Sequence, residues 1–358
     1  MDLRKLSTPY DGPRFSRLCV QIRAVKCRNR CRHCYVSAGT VPFEHRVSAT
    51  DILDITKKLS RMCTRKKNVF LFLHDDPFDY LDIESVIEKL WQKGFRSCLT
   101  AFPTHGAGIL QWDDPSRRLR QLREYGVKTF QFTFHGLEEE HDWFVQRKGA
   151  FRKTMEVATL CIAAEFDVYW AVFVNTRNLA DIPGLLKLLD QRSGENRTKL
   201  FLGTWTHSGS AIESEHLRPT IKQYESLPSA LGDRLPKVHT EAYWVERAIA
   251  GDIAKFPRWQ RSSLELSISE TGVVTHAHSD NDAEIGKISQ PLEVTVAKYL
   301  RTRSTLRTIL AKRDKKALRG LANRHGDAQS EKVHTSLSAV RCWLARRRKS
   351  GGTAHVGS

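Results

Sequence analysis

The 358-residue chain contains no run of about 18 apolar residues, which excludes a helical membrane span. Its opening, Met1-Asp-Leu-Arg-Lys-Leu-Ser-Thr-Pro9, lacks the apolar centre of a secretory signal, so the expected location is the cytoplasm. Internal repeats, a Gly-rich P-loop and a G-x-S-x-G nucleophile turn are all missing, and with them the sequence marks of solenoids, P-loop nucleotide hydrolases and α/β-hydrolases. Cysteine is scarce, at eight residues, too few for a disulfide scaffold in a chain of this length; free thiols in turn suit a reducing compartment. Acidic residues are scarce at one end. The formal net charge is +18, and residues 291–358 hold 16 Lys and Arg against 4 Asp and Glu, so most of the excess sits in the tail. Such a tail suits an acidic partner such as nucleic acid, an acidic peptide, anionic lipid or a phosphorylated substrate, or else forms a solvated helical appendage.

What the chain does have is concentrated in Val25-Lys-Cys-Arg-Asn-Arg-Cys-Arg-His-Cys-Tyr35. Cys27, Cys31 and Cys34 are spaced C-x3-C-x2-C in a short basic loop directly after the apolar run Leu18-Cys-Val-Gln-Ile22, so three thiolates can converge on one point. Three sulfurs on so short a loop hold three corners of a cubane iron–sulfur cluster and leave the fourth iron open to a substrate. The surrounding arginines and lysine lower the cost of adding an electron to such a cluster. The competing reading is a structural zinc loop with His33 or His45 as fourth ligand. Zinc sites usually come in paired spacings, and no second C-x2-C or H-x3-5-H pair lies nearby.

Along the chain, residues 1–16 read as an irregular lead-in with turns at Pro9 and Gly12-Pro13. Strands and helices then alternate. Ser48 reads as a helix cap, and Ile52, Ile55, Leu59 and Met62 mark one helical face. Val69-Phe-Leu-Phe-Leu73 reads as a parallel strand buried on both faces. A helix from about Leu81 stops at Gly94, a strand follows near Ser97-Cys-Leu-Thr-Ala101, and Asp114-Pro115 opens a helix that ends at Gly126. Strands at 128–134, 166–174 and 199–205 alternate with helices at 150–164 and 179–190. Six βα units imply an α/β chain whose residues 17–212 form a partial (β/α)6 TIM-like barrel, with its site at the carboxyl ends of the strands. Residues 213–291 read as a small α+β extension with a hairpin around Leu264–Ser279, and residues 292–358 as a basic helical tail with a disordered end.

The cysteine spacing with aromatic Tyr35 after it, on the loop after the first strand of such a barrel, resembles the signature of the radical SAM (S-adenosylmethionine) superfamily. Further segments resemble its peptide-modifying and sulfatase-maturing branch. His74-Asp-Asp-Pro77 stands where that family has a Gly-Gly-Glu-like segment for the methionine amino group, and the resemblance assigns the acidic role to Asp76 although both glycines are replaced. Gln131-Phe-Thr-Phe-His-Gly136 with Glu140-His-Asp142, Arg147-Lys-Gly149 and Phe151 resembles the family's Ser-x-Asp-Gly segment with its later His-Asp, Arg-x-Gly and Phe. That match implies Thr133 and His135 near the ribose and methionine carboxylate, and Arg147 as a further carboxylate contact. Asn175, at the end of the fifth strand, matches the family's asparagine near the nucleoside. Thr271-Gly-Val-Val-Thr-His-Ala-His278 and Ile285-Gly-Lys-Ile288 resemble the start of a SPASM domain in which His276 and His278 replace cluster cysteines.

The resemblance implies a 4Fe-4S cluster on Cys27, Cys31 and Cys34, S-adenosylmethionine as co-substrate, and an electron donor such as flavodoxin or ferredoxin. The expected activity is reductive cleavage of S-adenosylmethionine to a 5′-deoxyadenosyl radical that abstracts hydrogen from a ribosomal peptide or small natural-product precursor. Since the cysteines of auxiliary clusters are missing, the expected outcome is redox-neutral, an epimerisation or rearrangement, with Cys98 near the end of the third strand as thiol hydrogen donor; the alternative for Cys98 is a small buried core residue. A tRNA- or RNA-modifying enzyme is the rival suggested by the basic tail, whose aromatics are only Tyr299 and Trp343. A zinc-stabilised nucleic-acid-binding module explains charge and cysteines but leaves the six βα units unexplained.

Overall fold

The structure is a computed structural model that describes residues 14–23, 27–34, 49–65, 68–74, 76–79, 83–95, 100–193, 198–202, 209–256, 263–269, 272–276, 284–301, 309–310 and 312–351. Strands and helices alternate as β1 (Arg17–Arg23), α1 (Ala49–Ser60), β2 (Val69–His74), α2 (Ile83–Gln92), β3 (Ala101–Thr104), α3 (Pro115–Glu124), β4 (Thr129–Phe134), α4 (Glu138–Val145), α5 (Ala150–Ala163), β5 (Asp167–Val174), α6 (Ile182–Ser193) and β6 (Thr198–Leu202). β1 pairs parallel with β2, and β3 to β6 form a parallel sheet in sequence order. The chain is an α/β protein whose parallel strands carry their helices on one face. Ser48 and the lead-in up to residue 13 lie outside the described residues.

Burial alternates along β1 to β4 and the first half of β5. On one face Leu18, Val20, Ile22, Leu71, Phe102, Phe130, Phe132, Val168 and Trp170 are buried in a single core with Ile52, Ile55 and Leu59 of α1, Ile87 and Leu90 of α2, Leu122 of α3 and Leu185 of α6. Each such side chain stabilises the fold by roughly 1.5–3 kcal/mol, so this face holds the strands to their helices. The opposite face is half-open. Phe72 is 41 % exposed and Tyr169 40 %, with Gln21, Gln131 and Thr133 half-buried beside them. The expectation that the 69–73 strand is buried on both faces is therefore corrected, because its inner face looks into the concave side of an incompletely closed barrel.

Two further differences have local causes. The third strand lies at Ala101–Thr104 rather than around 97–101, and Pro103 within it is tolerated because β3 stands at one edge of its four-stranded sheet. α4 is an additional helix. Glu138, Glu139 and Glu140 fill its first turn, where carboxylates meet the positive end of the helix dipole.

After the barrel come α7 (Ile221–Glu225), β7 (His239–Thr240), α8 (Glu241–Ile249), β8 (Ser263–Ile268), β9 (Val273–His276), β10 (Glu284–Lys287), α9 (Leu292–Arg301), α10 (Lys315–His325), β11 (Val333–His334) and α11 (Ser336–Gly351). The hairpin expected near residues 264–279 is β8–β9, and β8 also pairs parallel with β1 in the register Cys19↔Glu265 and Gln21↔Ser267, so this extension widens the barrel sheet. The tail is not a solvated appendage. Leu318, Leu321, Ala322, Val340, Trp343 and Leu344 pack with Trp244, Val245 and Phe256 in a second core, and β7 pairs with β11. A boundary at 291/292 thus cuts through a packed unit made of α8, α10 and α11. Its polar seam is Glu241, fully buried, which accepts from Trp343 Nε1 at 2.9 Å and from Arg346 Nη2 at 3.0 Å.

Trp343→Ala should lower stability by about 3–5 kcal/mol, through the lost aromatic volume and the unpaired Glu241 oxygen. Urea denaturation followed by far-UV circular dichroism measures it; a change below about 1 kcal/mol would mean that the tail is only loosely attached.

Candidate active site

The loop after β1 lacks regular structure, so other elements must hold it. α4 ends at Gln146 in the left-handed region (φ 55°), and two of its last carbonyls accept from the loop, Val145 O from Arg30 N (3.1 Å) and Phe144 O from Arg32 N (3.0 Å). Ser214 Oγ donates to Arg32 O at 2.7 Å, and Cys34 N closes a turn onto Cys31 O at 2.9 Å. On the far side Arg28 binds Asp79 through its backbone N (3.0 Å) and its Nε (2.9 Å). Arg32 and Arg177 both lie on the Trp143 ring, 4.1 and 3.9 Å from its centroid, and Arg177 forms two 2.8 Å bonds to Glu140. Exposed ion pairs are worth about 0–1 kcal/mol, so the backbone bonds set the loop's path and the Trp143 stack adds to them.

Asp76, expected to face the co-substrate, is 1 % exposed and fully engaged within the protein. Its carboxylate accepts from Phe78 N (3.0 Å), Thr104 Oγ1 (2.7 Å), His105 N (2.7 Å) and Gly106 N (3.3 Å), and His105 Nε2 lies 3.1 Å away. It joins the carboxyl ends of β2 and β3. Gly108 lets the two loops meet, since a Cβ there would stand 1.7 Å from Phe78 O. His105 is the member of this group that turns toward the cysteines. Burial would pull its pKa down, but Asp76, Asp79 and Cys27 outweigh burial and hold it well above the ordinary value. Donor atoms of Cys27, Asp79 and His105 all fall within 4.8 Å of one another.

His33, between the second and third cysteines, packs 4.7 Å from His135, and His135 stacks on Phe144 at 4.1 Å with 12° between planes. His141 lies 5.8 Å from His135. Burial keeps all three neutral, pulling His33 down to about 4 and His141 to about 3, while burial and the neighbouring histidines hold His135 well below its ordinary value. Arg147 acts electrostatically on both Cys31 and His141. Buried atoms without a hydrogen-bond partner among the described residues gather here: Nδ1 of His33 and His135, both ring nitrogens of His141, and Nε and Nη2 of Arg147. Such atoms are costly to bury unsatisfied, and they mark a place built for a polar ligand.

The other expected residues divide. Thr133 is half-buried on the concave face, in register with Ala171. Asn175 turns back into its own loop, where its Oδ1 accepts from Arg177 N at 2.9 Å, and Asn178 braces the turn by accepting from Asn175 N and donating to His135 O, both at 2.8 Å. Tyr35, Cys98, His45 and His278 lie outside the described residues, and His276 ends β9. The third strand ends at Thr104, six residues after Cys98. Asp79 and His105 have no counterpart in the sequence reading, although Asp79 follows the His74–Pro77 segment by two residues; His33 enters there only as a candidate zinc ligand, and His141 only within the Glu140-His-Asp142 segment.

The loop fits an iron–sulfur cluster. Cys27 senses the charge of Cys31, and Cys31 that of Cys34, so the thiols share one neighbourhood. Burial pushes Cys27 up to about 11 and Cys31 up to about 12, so metal must displace their protons. Three thiols beside unpartnered polar groups match a cluster with one iron left for a chelating co-substrate.

Residues 22–189 match the Radical SAM superfamily, so this stretch is a radical SAM domain, of a superfamily of enzymes that use a 4Fe-4S cluster and S-adenosylmethionine. Among curated proteins it is similar to Fe-coproporphyrin III synthase of Methanosarcina barkeri (strain Fusaro / DSM 804), 23 % identical over 221 residues, covering 62 % of this chain and 52 % of the relative. The chain thus spans about half the length of that relative. Its fold is similar to that of native anSMEcpe with bound AdoMet (TM-score 0.58, 12 % identity, 93 % of this chain and 97 % of that one). It is likewise similar to Streptococcus suis SuiB bound to S-adenosylmethionine (TM-score 0.52, 11 % identity, 79 % and 66 %).

Asp76→Ala should strand the donors of Thr104, His105 and Gly106 and lower stability on the order of 3 kcal/mol, with reduced iron retention. A direct co-substrate ligand would instead weaken S-adenosylmethionine binding at unchanged stability. Chemical denaturation and isothermal titration separate the two.

Proposed function

We propose that the enzyme abstracts hydrogen from a ribosomal peptide or a small amide- and hydroxyl-bearing natural-product precursor that enters the concave face of the barrel. The observation that carries this reading is the composition of that face. Gln21, Ser267, Gln131 and Thr133 present hydrogen-bonding groups, and Phe72, Tyr169 and Phe173 present aromatic surface, all half-buried or exposed. Such a surface pairs amides and hydroxyls and packs apolar side chains. A polyanion would call for clustered cations. The described part of this face has Lys199 and Arg17, with Asp167 and Glu265 to offset them. A peptide substrate is also in keeping with SuiB, which binds the precursor peptide SuiA. The RNA-modifying alternative draws on the tail, where Arg346 is committed to Glu241 and burial pulls Arg341 down.

When bound, the cluster on Cys27, Cys31 and Cys34 supplies the electron that cleaves S-adenosylmethionine to a 5′-deoxyadenosyl radical. The chain's own part is to bind and to exclude. Arg147, half-buried near Cys31 and with its buried Nε and Nη2 without partners among the described residues, takes the methionine carboxylate in this reading. Asp79 is the acidic group beside Cys27, and we assign it the ammonium contact that Asp76 is too engaged to make. The neutral His33 and His135 form a flat, aromatic-walled niche with Phe144 and Phe173, suited to a nucleoside. All lie at the carboxyl ends of the strands, so the radical would form at the mouth of the concave face. The free cysteines described outside the loop are Cys19, Cys63, Cys161 and Cys342, spread over separate elements and unable to form a second loop like the first. This supports a redox-neutral outcome.

Anaerobically reconstituted protein should bind about four irons per chain and release 5′-deoxyadenosine from S-adenosylmethionine under reduction, and Cys31→Ala should abolish both. With a substrate in deuterated water, the expected product has gained solvent deuterium at one carbon with unchanged oxidation state. A product two mass units lighter would refute the redox-neutral reading, and intact deoxyadenosine release by Cys31→Ala would refute the site.

A further inference from the structure

The C-terminal unit closes over a second group of metal-ligating side chains, apart from the cysteine loop, although one of its elements, the segment Gly209–Leu217, also reaches that loop through Ser214. Glu215 comes from the 3₁₀ segment Gly209–Leu217, His334 from β11 and Cys342 from α11. One carboxylate oxygen, one imidazole nitrogen and the thiol sulfur of these residues all lie within 4.8 Å of one another. Glu241, the first residue of α8, approaches this group from the His334 side, its Oε2 3.8 Å from His334 Nε2, while Glu215 Oε1 stands 4.0 Å from that nitrogen. His334 and Glu241 are fully buried and Cys342 is 2 % exposed.

The surroundings orient each group. His334 Nδ1 sits 3.1 Å from Ser338 Oγ, which directs Nε2 toward the carboxylates, and His334 O accepts from Trp244 Nε1 at 2.8 Å. Arg218 holds Glu215 through Nε (2.7 Å) and Nη2 (3.1 Å), and Arg346 with Trp343 holds Glu241. Outer partners of this kind fix metal ligands in place. Around a tetrahedral zinc, with bonds of about 2.0–2.3 Å, donor atoms stand roughly 3.3–3.8 Å apart, so closing the set takes a contraction of up to about an ångström among side chains now within 4.8 Å of one another.

Charge selects the ion. The two arginines offset the two carboxylates, and a hard cation that takes six or more oxygens finds neither the oxygens nor the negative charge here. A four-coordinate ion that accepts sulfur, nitrogen and oxygen together, and that displaces a thiol proton, fits. We propose that Glu215, Glu241, His334 and Cys342 bind one zinc ion, which ties the segment after β6 to α8, β11 and α11. All four corners are protein groups in a buried place, so the ion's role is structural.

The test is elemental analysis of the full-length, reconstituted and desalted enzyme. About one zinc per chain should accompany the iron and should persist in Cys31→Ala, which removes iron alone. Cys342→Ser and His334→Gln should each lower zinc at least about five-fold while iron stays. Cobalt added to metal-stripped Cys31→Ala should give tetrahedral visible bands with a thiolate charge-transfer band that the further change Cys342→Ser removes. Zinc below about a fifth of an equivalent in folded Cys31→Ala purified from zinc-supplemented cells, or zinc unchanged by both Cys342→Ser and His334→Gln, would overturn the proposal. The cobalt spectrum needs only protein that folds with Cys342 intact, so its absence there is also decisive.

Discussion

A single buried carboxylate governs the geometry of the active site. Asp76 takes hydrogen bonds from two loops and a hydroxyl, and an ion-pair contact from His105. A carboxylate taken out of water costs several kcal/mol unless it is paired and hydrogen-bonded, so these donors can be arranged in few other ways. By fixing the ends of β2 and β3 together, Asp76 aims His105 at Cys27 and places Asp79 where it can hold Arg28, the first cysteine's neighbour. The cysteine loop has no secondary structure with which to position itself. It takes its shape from this group on one side and from the carbonyls at the end of α4 on the other.

The barrel divides its labour by face. Apolar residues on the convex face hold strands to helices, and the concave face is left with glutamine, serine, threonine and exposed aromatics. A closed sheet would fill its interior with side chains. Here the inner face is open, and β8 extends the sheet on the free side of β1. That strand brings Glu265 and Ser267 onto the same face as Cys19 and Gln21, so the region after the barrel contributes to the surface a substrate would meet.

The C-terminal half also illustrates how charge misleads. Its arginines and lysines suggest a solvated or nucleic-acid-binding tail, yet α10 and α11 share an apolar core with α8, and Arg346 of the tail is paired with the buried Glu241. Net charge says nothing about which positions of an amphipathic helix face inward.

Local patterning determined a good deal about this protein. The C-x3-C-x2-C spacing, the 3.6-residue face of α1, the cap at Asp114-Pro115 and the period-2 alternation of β4 are patterns among near neighbours in sequence, so the α/β strands and helices were legible without coordinates. Tertiary structure decided the rest. Asp76 was visible as an acid at a strand end, but these partners lie 28 to 30 residues away at the end of β3 and in the loop after it, and whether it faces inward or outward depends on them. The pairing of β8 with β1, the meeting of Glu215 with His334 and Cys342, and the neutral state of His135 likewise arise from groups far apart in the chain. A sequence carries the chemistry of each side chain, while burial and distance, which set pKa and partner, exist only once the chain has closed on itself.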